Sequence, residues 1–480
     1  MVMHLKETIP GAQFCAFAQM RAGRTFLLKQ KDIDYGTNIP LEEDLFLRGK
    51  KATLDMEYLK AFEKEYGIPN AWPYLYVDRV IMHGQYLREY PYDKALLSHH
   101  EMLTHLQENA KEVVAFLDKE KPDAVVFSVV GSTASILLYH IAKKRGIKTF
   151  VIRSTRIRDA MTFTGEYMKL DTVQTRFRER LEKKIAPLDA ATTYLKEFRE
   201  RPMPYIPQAS PTFNKQAYRS SNLRFLKPTR LFPSIAWHFK ELWNDLTQQR
   251  DYNQIRIWWK TWDKLKRRMR GLVGYEKFYS NPDPAARFAY YPLHLEPETA
   301  ILFDSPYHTD QLELIRAAAH ALPIDMLLYV KEHPQMVGYR ERAYYKEITK
   351  IPNVRLISPR TVGTDLVQKA ELVFTITGTG GFESVLFGKP VITFTEVYYN
   401  DLSQVKMCRD FDQLPFVVKE QLENTKANNE EVVQYISALM EESVNVNYDK
   451  LWISGLPSSE IAKDETLKKF SALLARRLQA

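Results

Sequence analysis

The sequence predicts an α/β protein of two parallel-sheet domains with a basic helical insertion between them. Three observations carry this. At 480 residues the chain exceeds one ordinary core and suits two large ones. A strand-helix-strand pattern occupies Ala124 to Ile152, and a longer alternation of strands and helices runs from Tyr290 to Phe394. The expected division is 1–285 and 286–480, with the insertion at about 175–280.

Along the chain, Leu96 to Lys119 reads as an amphipathic helix, with Leu103, Leu106 and Val113 or Val114 near helical spacing. Ala124 to Val129 reads as a buried strand, Ser132 to Lys144 as a helix and Lys148 to Ile152 as the next strand. The uncharged run Ala124 to Ala142 approaches membrane-spanning length, but Gly131-Ser132-Thr133 at its centre favours a strand, a turn and a helix. Thr175 to Glu200 interleaves charge and apolar residues at helical period, and 205–280 continues with few strand signals.

In the second region, Thr299 to Phe303, Met326 to Lys331, Val354 to Ile357, Leu372 to Thr377 and Val391 to Phe394 are the expected strands. Helices are expected between them, and Glu460 to Leu478 is expected as one closing amphipathic helix. This is the pattern of a doubly wound sheet.

Hydrophobic content of 45% with 12% aromatic residues supplies packed interiors, and no tract is poor enough in apolar residues to read as disordered. Cys15 and Cys408 are far apart and outside any Cys-x-x-Cys spacing, so neither a disulfide framework nor a thiolate metal site is indicated, and a reducing cytoplasm fits. Met1 to Phe17 lacks the basic flank and apolar core of a secretory signal. A cytoplasmic protein is therefore expected, with a peripheral position at the inner face of the cell membrane as an option.

That option comes from the charge. The net charge is +9, yet residues 211–280 alone hold fifteen Lys or Arg against five acids, so the rest of the chain is close to neutral. Five of the seven Trp lie in the same stretch. It reads either as a solvated face over buried Trp or as a patch for an anionic membrane surface; a nucleic-acid surface is the weakest of the three readings, and none is expected as a partner.

The strongest chemical signal is the strand Leu372 to Thr377 running into Gly378-Thr379-Gly380-Gly381 and a helix that ends at Gly388-Lys-Pro390. Glycines let backbone amides approach a ligand, and a helix start favours an anion. The alternative is that they only make a tight turn. Glu383 lies where a first-turn acid complements the dipole or, alternatively, bonds ribose hydroxyls, and the spacing is not that of a dinucleotide loop. Lys331, His333 and Pro334 close another strand and fall at the same sheet edge, where open α/β sheets bind ligands. Ser305 and Gln311, near Asp304 and Asp310, are expected at a third strand end, with helix capping as the plainer reading.

Tyr291-Pro-Leu-His-Leu-Glu-Pro297, Val330-Lys-Glu-His-Pro334, Ile351 to Pro359, and Thr377-Gly-Thr379 through Gly388 to Ile392 together resemble the bacterial capsule polysaccharide biosynthesis family. That family is GT-B-like and similar to transferases that use CMP-activated ulosonic acids such as Kdo. The resemblance spans about residues 288 to 400. It implies two Rossmann-like, doubly wound domains facing a cleft. It also implies a nucleotide-sugar donor, CMP-linked by analogy, with His333, Pro334, Thr377 and Thr379 on its phosphate, and a glycan or lipid-linked acceptor.

A hydroxyl pair with helix-start amides stabilises a phosphate leaving group without metal, so no metal and no cofactor is expected. An inverting transferase of this kind also needs a carboxylate in the first domain to take the acceptor's proton. Asp159, after the strand ending at Ile152, is the choice, with Asp34 and Glu166 as rivals. Ser132 and Arg153 are the expected acceptor contacts.

His100 and His105, five apart, cannot share a helix face as zinc-protease ligands do. The Asp-x-Asp pairs at Asp32 and Asp410 are not counted as metal sites, since 59 acids produce such pairs by chance. Two other functions share this architecture: a non-hydrolysing sugar-nucleotide epimerase and a catalytically silent assembly or export partner.

Overall fold

The computed structural model describes residues 1–84, 94–202, 228–247, 251–446, 451 and 456–479. Two sheets organise it, each in an α/β, Rossmann-like unit with parallel strands. In the first unit β1 (Ala124–Phe127) and β2 (Lys148–Ser154) are parallel, joined by the helix Thr133–Lys144. β3 (Ala160–Thr164) turns back antiparallel to β2. The uncharged run Ala124 to Ala142 is thus β1, a turn and a buried helix. Ser98 and Glu101 form a capping box that starts the helix His99–Glu120, and Leu106, Val113 and Leu117 on its buried face meet Leu137 and Ile141.

The second sheet contains β4 (Phe288–Pro292), β5 (Leu327–Lys331), β6 (Val354–Ile357), β7 (Leu372–Thr375), β8 (Val391–Thr393) and β9 (Val405–Met407). All pairings are parallel, in the order β6-β5-β4-β7-β8-β9. Counted within the unit this is 3-2-1-4-5-6, the doubly wound dinucleotide-fold order, with its switch point between β4 and β7. The near-continuous burial of these strands follows from helices on both faces. Ala289, Tyr291 and Leu293 point to one core, whereas Phe288 and Tyr290 point to the other.

Three expectations are corrected. The first strand of this sheet is Phe288–Pro292; Thr299–Leu302 is instead a single helical turn. Its apolar run is buried for another reason: Phe303 enters the first unit's core, with its ring centroid 3.8 Å from that of Tyr167. Helices Asp171–Glu182 and Asp189–Glu200, expected to begin the insertion, pack against Asn429–Glu441 through Val173, Phe177, Leu195 and Tyr435, and fully buried Arg180 binds Gln434 and Glu441. The tail expected to close the second domain returns to the first. There β10 (Val444–Asn445) pairs with β3, and Phe470 of the helix Glu465–Gln479 stacks on Phe163 at 4.3 Å. Ser458–Ile461 is a separate turn of helix before it.

Of the basic stretch, helices Pro228–Thr247 and Ile257–Val273 are described. Lys215, Arg219, Arg224, Lys227 and Arg250 lie outside the described residues. The buried-Trp reading fails: Trp237, Trp243, Trp258, Trp259 and Trp262 are all exposed.

Candidate functional site

The carboxyl ends of β5, β4 and β7 are consecutive along the sheet. At about 4.8 Å per strand, the outer two lie about 10 Å apart, so a phosphate over β4 is in reach of side chains from both neighbours. Each end carries one of the sequence motifs. β5 leads into Lys331-Glu-His333, β4 into Leu293-His294, and β7 into Ile376-Thr377-Gly378.

His294 forms the floor of this edge and was named only within a resemblance motif. Its Nε2 accepts from the Ile376 amide at 3.2 Å and lies 3.2 Å from Thr375 Oγ1, so β4 and β7 are tied at their ends. Burial, with the Arg340 charge adding to it, pushes the ring down to about 4, which keeps it neutral at neutral pH. Gln311, expected as a donor contact, instead holds this loop: its Oε1 accepts from the His294 amide at 2.8 Å, and its Nε2 reaches Glu296.

Beneath the His-Pro turn lies an ionic network that single-residue motif reading missed. Glu332 is fully buried; one carboxylate oxygen accepts from the His333 amide at 2.6 Å and from the Arg340 guanidinium, the other from Tyr345 at 2.7 Å. Arg340 also donates to the His294 carbonyl at 2.6 Å and to Glu296 at 3.2 Å. One guanidinium therefore fixes both strand-end loops.

His333 caps the short helix Pro334–Met336, its Nδ1 accepting from the Gln335 amide at 3.2 Å. In the neutral ring this leaves the proton on Nε2. Lys331 is buried beside it, and burial lowers its ammonium to about 8.

The glycine turn has two functions in the geometry. Gly378 caps the helix Thr379–Leu386 without a side-chain cap, with φ −70° and ψ 156°. Glycine is required there by close approach: a Cβ on Gly378 would stand 2.7 Å from His294 Cε1, and one on Gly381 would stand 2.7 Å from Thr375 Cγ2. The Gly378 amide donates to Thr375 Oγ1 at 3.1 Å, so it is committed within the protein. The rest of the turn comprises Thr377, Thr379 and the amides that open the helix. Glu383, one turn along, is half-buried among tyrosines, and burial pushes its carboxyl up to about 7.

In the first unit, Ser132 caps Thr133–Lys144 in a capping box with Ser135, and its hydroxyl is engaged there. Arg153 crosses to the second unit and binds buried Asp304 at 3.2 Å. Asp304 is followed by Ser305, also buried, whose hydroxyl lies 3.3 Å from His308 Nδ1. Asp159 sits exposed in the β2–β3 hairpin turn, and its carbonyl accepts from Val446. Of its rivals, Asp34 makes a local turn with Gly36 and Glu166 pairs with Lys143. Among the described residues no group of three His, Cys, Asp or Glu is arranged to hold a metal ion. His105 is buried and His100 exposed, as their five-residue spacing requires.

Residues 274–406 match the family model described as capsule polysaccharide biosynthesis protein. Protein FixF of Sinorhizobium fredii (strain NBRC 101917 / NGR234) is 27% identical over 135 residues, which are 28% of this chain and 32% of FixF. The match thus spans about a third of that relative's length. Among solved structures, the chain is similar to Thermosulfurimonas dismutans KpsC, beta Kdo 2,7 transferase, at 14% identity and TM-score 0.35, over 75% of this chain and 89% of KpsC. The corresponding beta Kdo 2,4 transferase gives 13% and 0.37, over 65% and 78%. The UDP-GlcNAc 2-epimerase of Methanocaldococcus jannaschii gives 13% and 0.26, over 90% and 99%.

Proposed function

We propose that this chain, which matches the capsule polysaccharide biosynthesis family over residues 274–406, is a glycosyltransferase of capsule or surface polysaccharide assembly. What supports the reading is that His333 and the Thr377–Thr379 turn follow the carboxyl ends of β5 and β7, on either side of β4, and that the helix after β7 starts without a side-chain cap at the switch point of a parallel sheet. A nucleotide-sugar donor fits this edge. In this reading His333 Nε2–H, the two threonine hydroxyls and the helix-start amides stabilise the phosphate as it leaves, and Glu383 bonds ribose hydroxyls. Lys331 and Pro334 complete the donor side.

The resemblance points further to a Kdo-like ulosonic acid carried on CMP. The acceptor, a glycan or lipid-linked glycan, approaches from the first unit and gives its hydroxyl proton to a carboxylate there, with Asp159 the candidate. Incubation with labelled nucleotide sugars and a glycan acceptor tests the function. Transfer of label to glycan is expected; interconversion of the free sugar nucleotide, or no reaction with any donor, overturns it.

Two outcomes follow. His333→Ala is expected to weaken nucleotide binding by about 1.5–3 kcal/mol, the range for a lost hydrogen bond to a charged group, with the fold retained. Thr379→Val acts similarly but less, because helix-start amides remain, and the two changes are less than additive if they serve one phosphate. Calorimetry with CMP, UDP, GDP and their sugars checks this; parent-like binding by both variants moves the site elsewhere. Nucleotide binding is also expected to persist in EDTA, and loss on chelation with recovery on Mg²⁺ or Mn²⁺ would sink the metal-free mechanism.

A further inference from the structure

The helices Pro228–Thr247 and Ile257–Val273 each leave an apolar stripe in solvent. On the first, Phe232, Ile235, Phe239, Leu242 and Leu246 recur at alternating spacings of three and four, and all are exposed, Phe239 at 68% and Leu246 at 72%. On the second, Trp258, Trp262, Leu265, Met269 and Leu272 repeat the pattern, also exposed. At 3.6 residues per turn each stripe covers an arc of roughly 100°, the width a helix ordinarily buries.

The opposite faces are already occupied. Trp237 lies against the second helix with Lys260 and Lys264 over its ring at 5.8 and 5.3 Å. Arg270 donates to the Tyr339 carbonyl at 2.6 Å and pairs with Glu341, either side of Arg340, while Arg267 covers the Tyr339 ring. The pair is therefore anchored to the second unit by its polar faces and presents its apolar ones outward.

We infer that this helix pair docks the protein on an anionic bilayer surface, lying in the interface plane. Three features select that occupant. The surrounding stretch carries fifteen Lys or Arg against five acids, which matches anionic headgroups and opposes a second copy of the same surface. By helical spacing Lys266 and Arg268 fall on the two flanks of the Trp258–Leu272 stripe, the arrangement that lets basic stems reach headgroups while apolar side chains enter the acyl boundary. Among the described residues no helix is long and apolar enough to cross a membrane, and binding in the interface plane needs none that is. The inference does not depend on the donor site.

The test is co-sedimentation of the full chain with vesicles of phosphatidylcholine alone and of phosphatidylcholine with about one-third phosphatidylglycerol. Binding to the anionic vesicles is expected, falling about tenfold in the triple variant Phe239→Ser/Leu246→Ser/Met269→Ser. The replaced side chains are exposed, and circular dichroism with an unchanged melting temperature verifies the fold. A second variant, Lys266→Glu/Arg268→Glu, is expected to lose the preference for anionic over neutral vesicles. Absence of binding by the parent, equal recovery with both vesicle types, or unchanged binding by the folded triple variant overturns the inference. So does a dimer in light scattering that the triple variant abolishes while vesicle binding persists, since the stripes then cover a second copy.

Discussion

Replacing Arg340 by Ala is expected to destabilise the second unit by about 3–5 kcal/mol, the penalty for leaving a buried ionic partner uncompensated. Arg340 is buried against fully buried Glu332, and its removal leaves that carboxylate, among the described residues, with Tyr345 and the His333 amide as its donors. Nucleotide affinity is expected to fall as well, because the same guanidinium orders the His294 carbonyl at the end of β4 and, through Glu332, the turn after β5. Adding Glu332→Gln removes the uncompensated charge, so Arg340→Ala/Glu332→Gln should recover part of the stability without restoring the affinity. Denaturant unfolding and calorimetry on the parent and the two variants check this. An Arg340→Ala protein as stable as the parent would show that the network is not needed for the fold.

Glu42→Gln is expected to stabilise the first unit at alkaline pH and to leave it nearly unchanged at acid pH. Glu42 is buried beneath the start of the helix Thr133–Lys144, where it accepts from the Ala134 amide. Burial, followed by the neighbouring Asp78 carboxylate, pushes its carboxyl from 4.5 up to about 8, against the opposing hydrogen bonds from Ala134, Ser132 and Tyr252. A folded carboxyl that holds its proton more tightly than the unfolded chain contributes stability that is complete below pH 4.5 and lost as pH rises through about 8. At about 1.4 kcal/mol for each pH unit over which only the unfolded chain has released the proton, the loss reaches a few kcal/mol. The neutral amide of Gln avoids it while keeping an acceptor for Ala134. Melting temperatures of parent and variant should therefore diverge between pH 5 and pH 8.5, the variant rising above the parent; a constant difference across that range contradicts the assignment.

Periodicity and turn chemistry alone located the helix Thr133–Lys144, strands β5 to β8 and the glycine turn, because each has its apolar spacing and its stop signal within a dozen residues. That Lys331 and His333 follow β5 while Thr377 and Thr379 follow β7 at one edge of the sheet was legible for the same reason: once the strands are parallel and wound on both faces, their carboxyl ends share one side. The local charge and Trp content of 211–280 were equally plain, being matters of composition.

Contacts between residues far apart in sequence were decided only by the fold. Thr299 to Phe303 read as a strand because an apolar run has no local mark to distinguish sheet burial from burial at an interface; Phe303 is buried by Tyr167, 136 residues away in the chain numbering. The return of β10 and the final helix to the first sheet rests on pairings with β3 and Phe163 that no spacing encodes. Gln311 and Arg340 carry no motif of their own, and they matter because folding brings the His294 backbone within hydrogen-bonding distance of both. Whether the Trp of the basic stretch are covered was likewise beyond the sequence: amphipathic spacing states that a helix has an apolar face, and only packing determines whether the protein covers that face or leaves it to a partner.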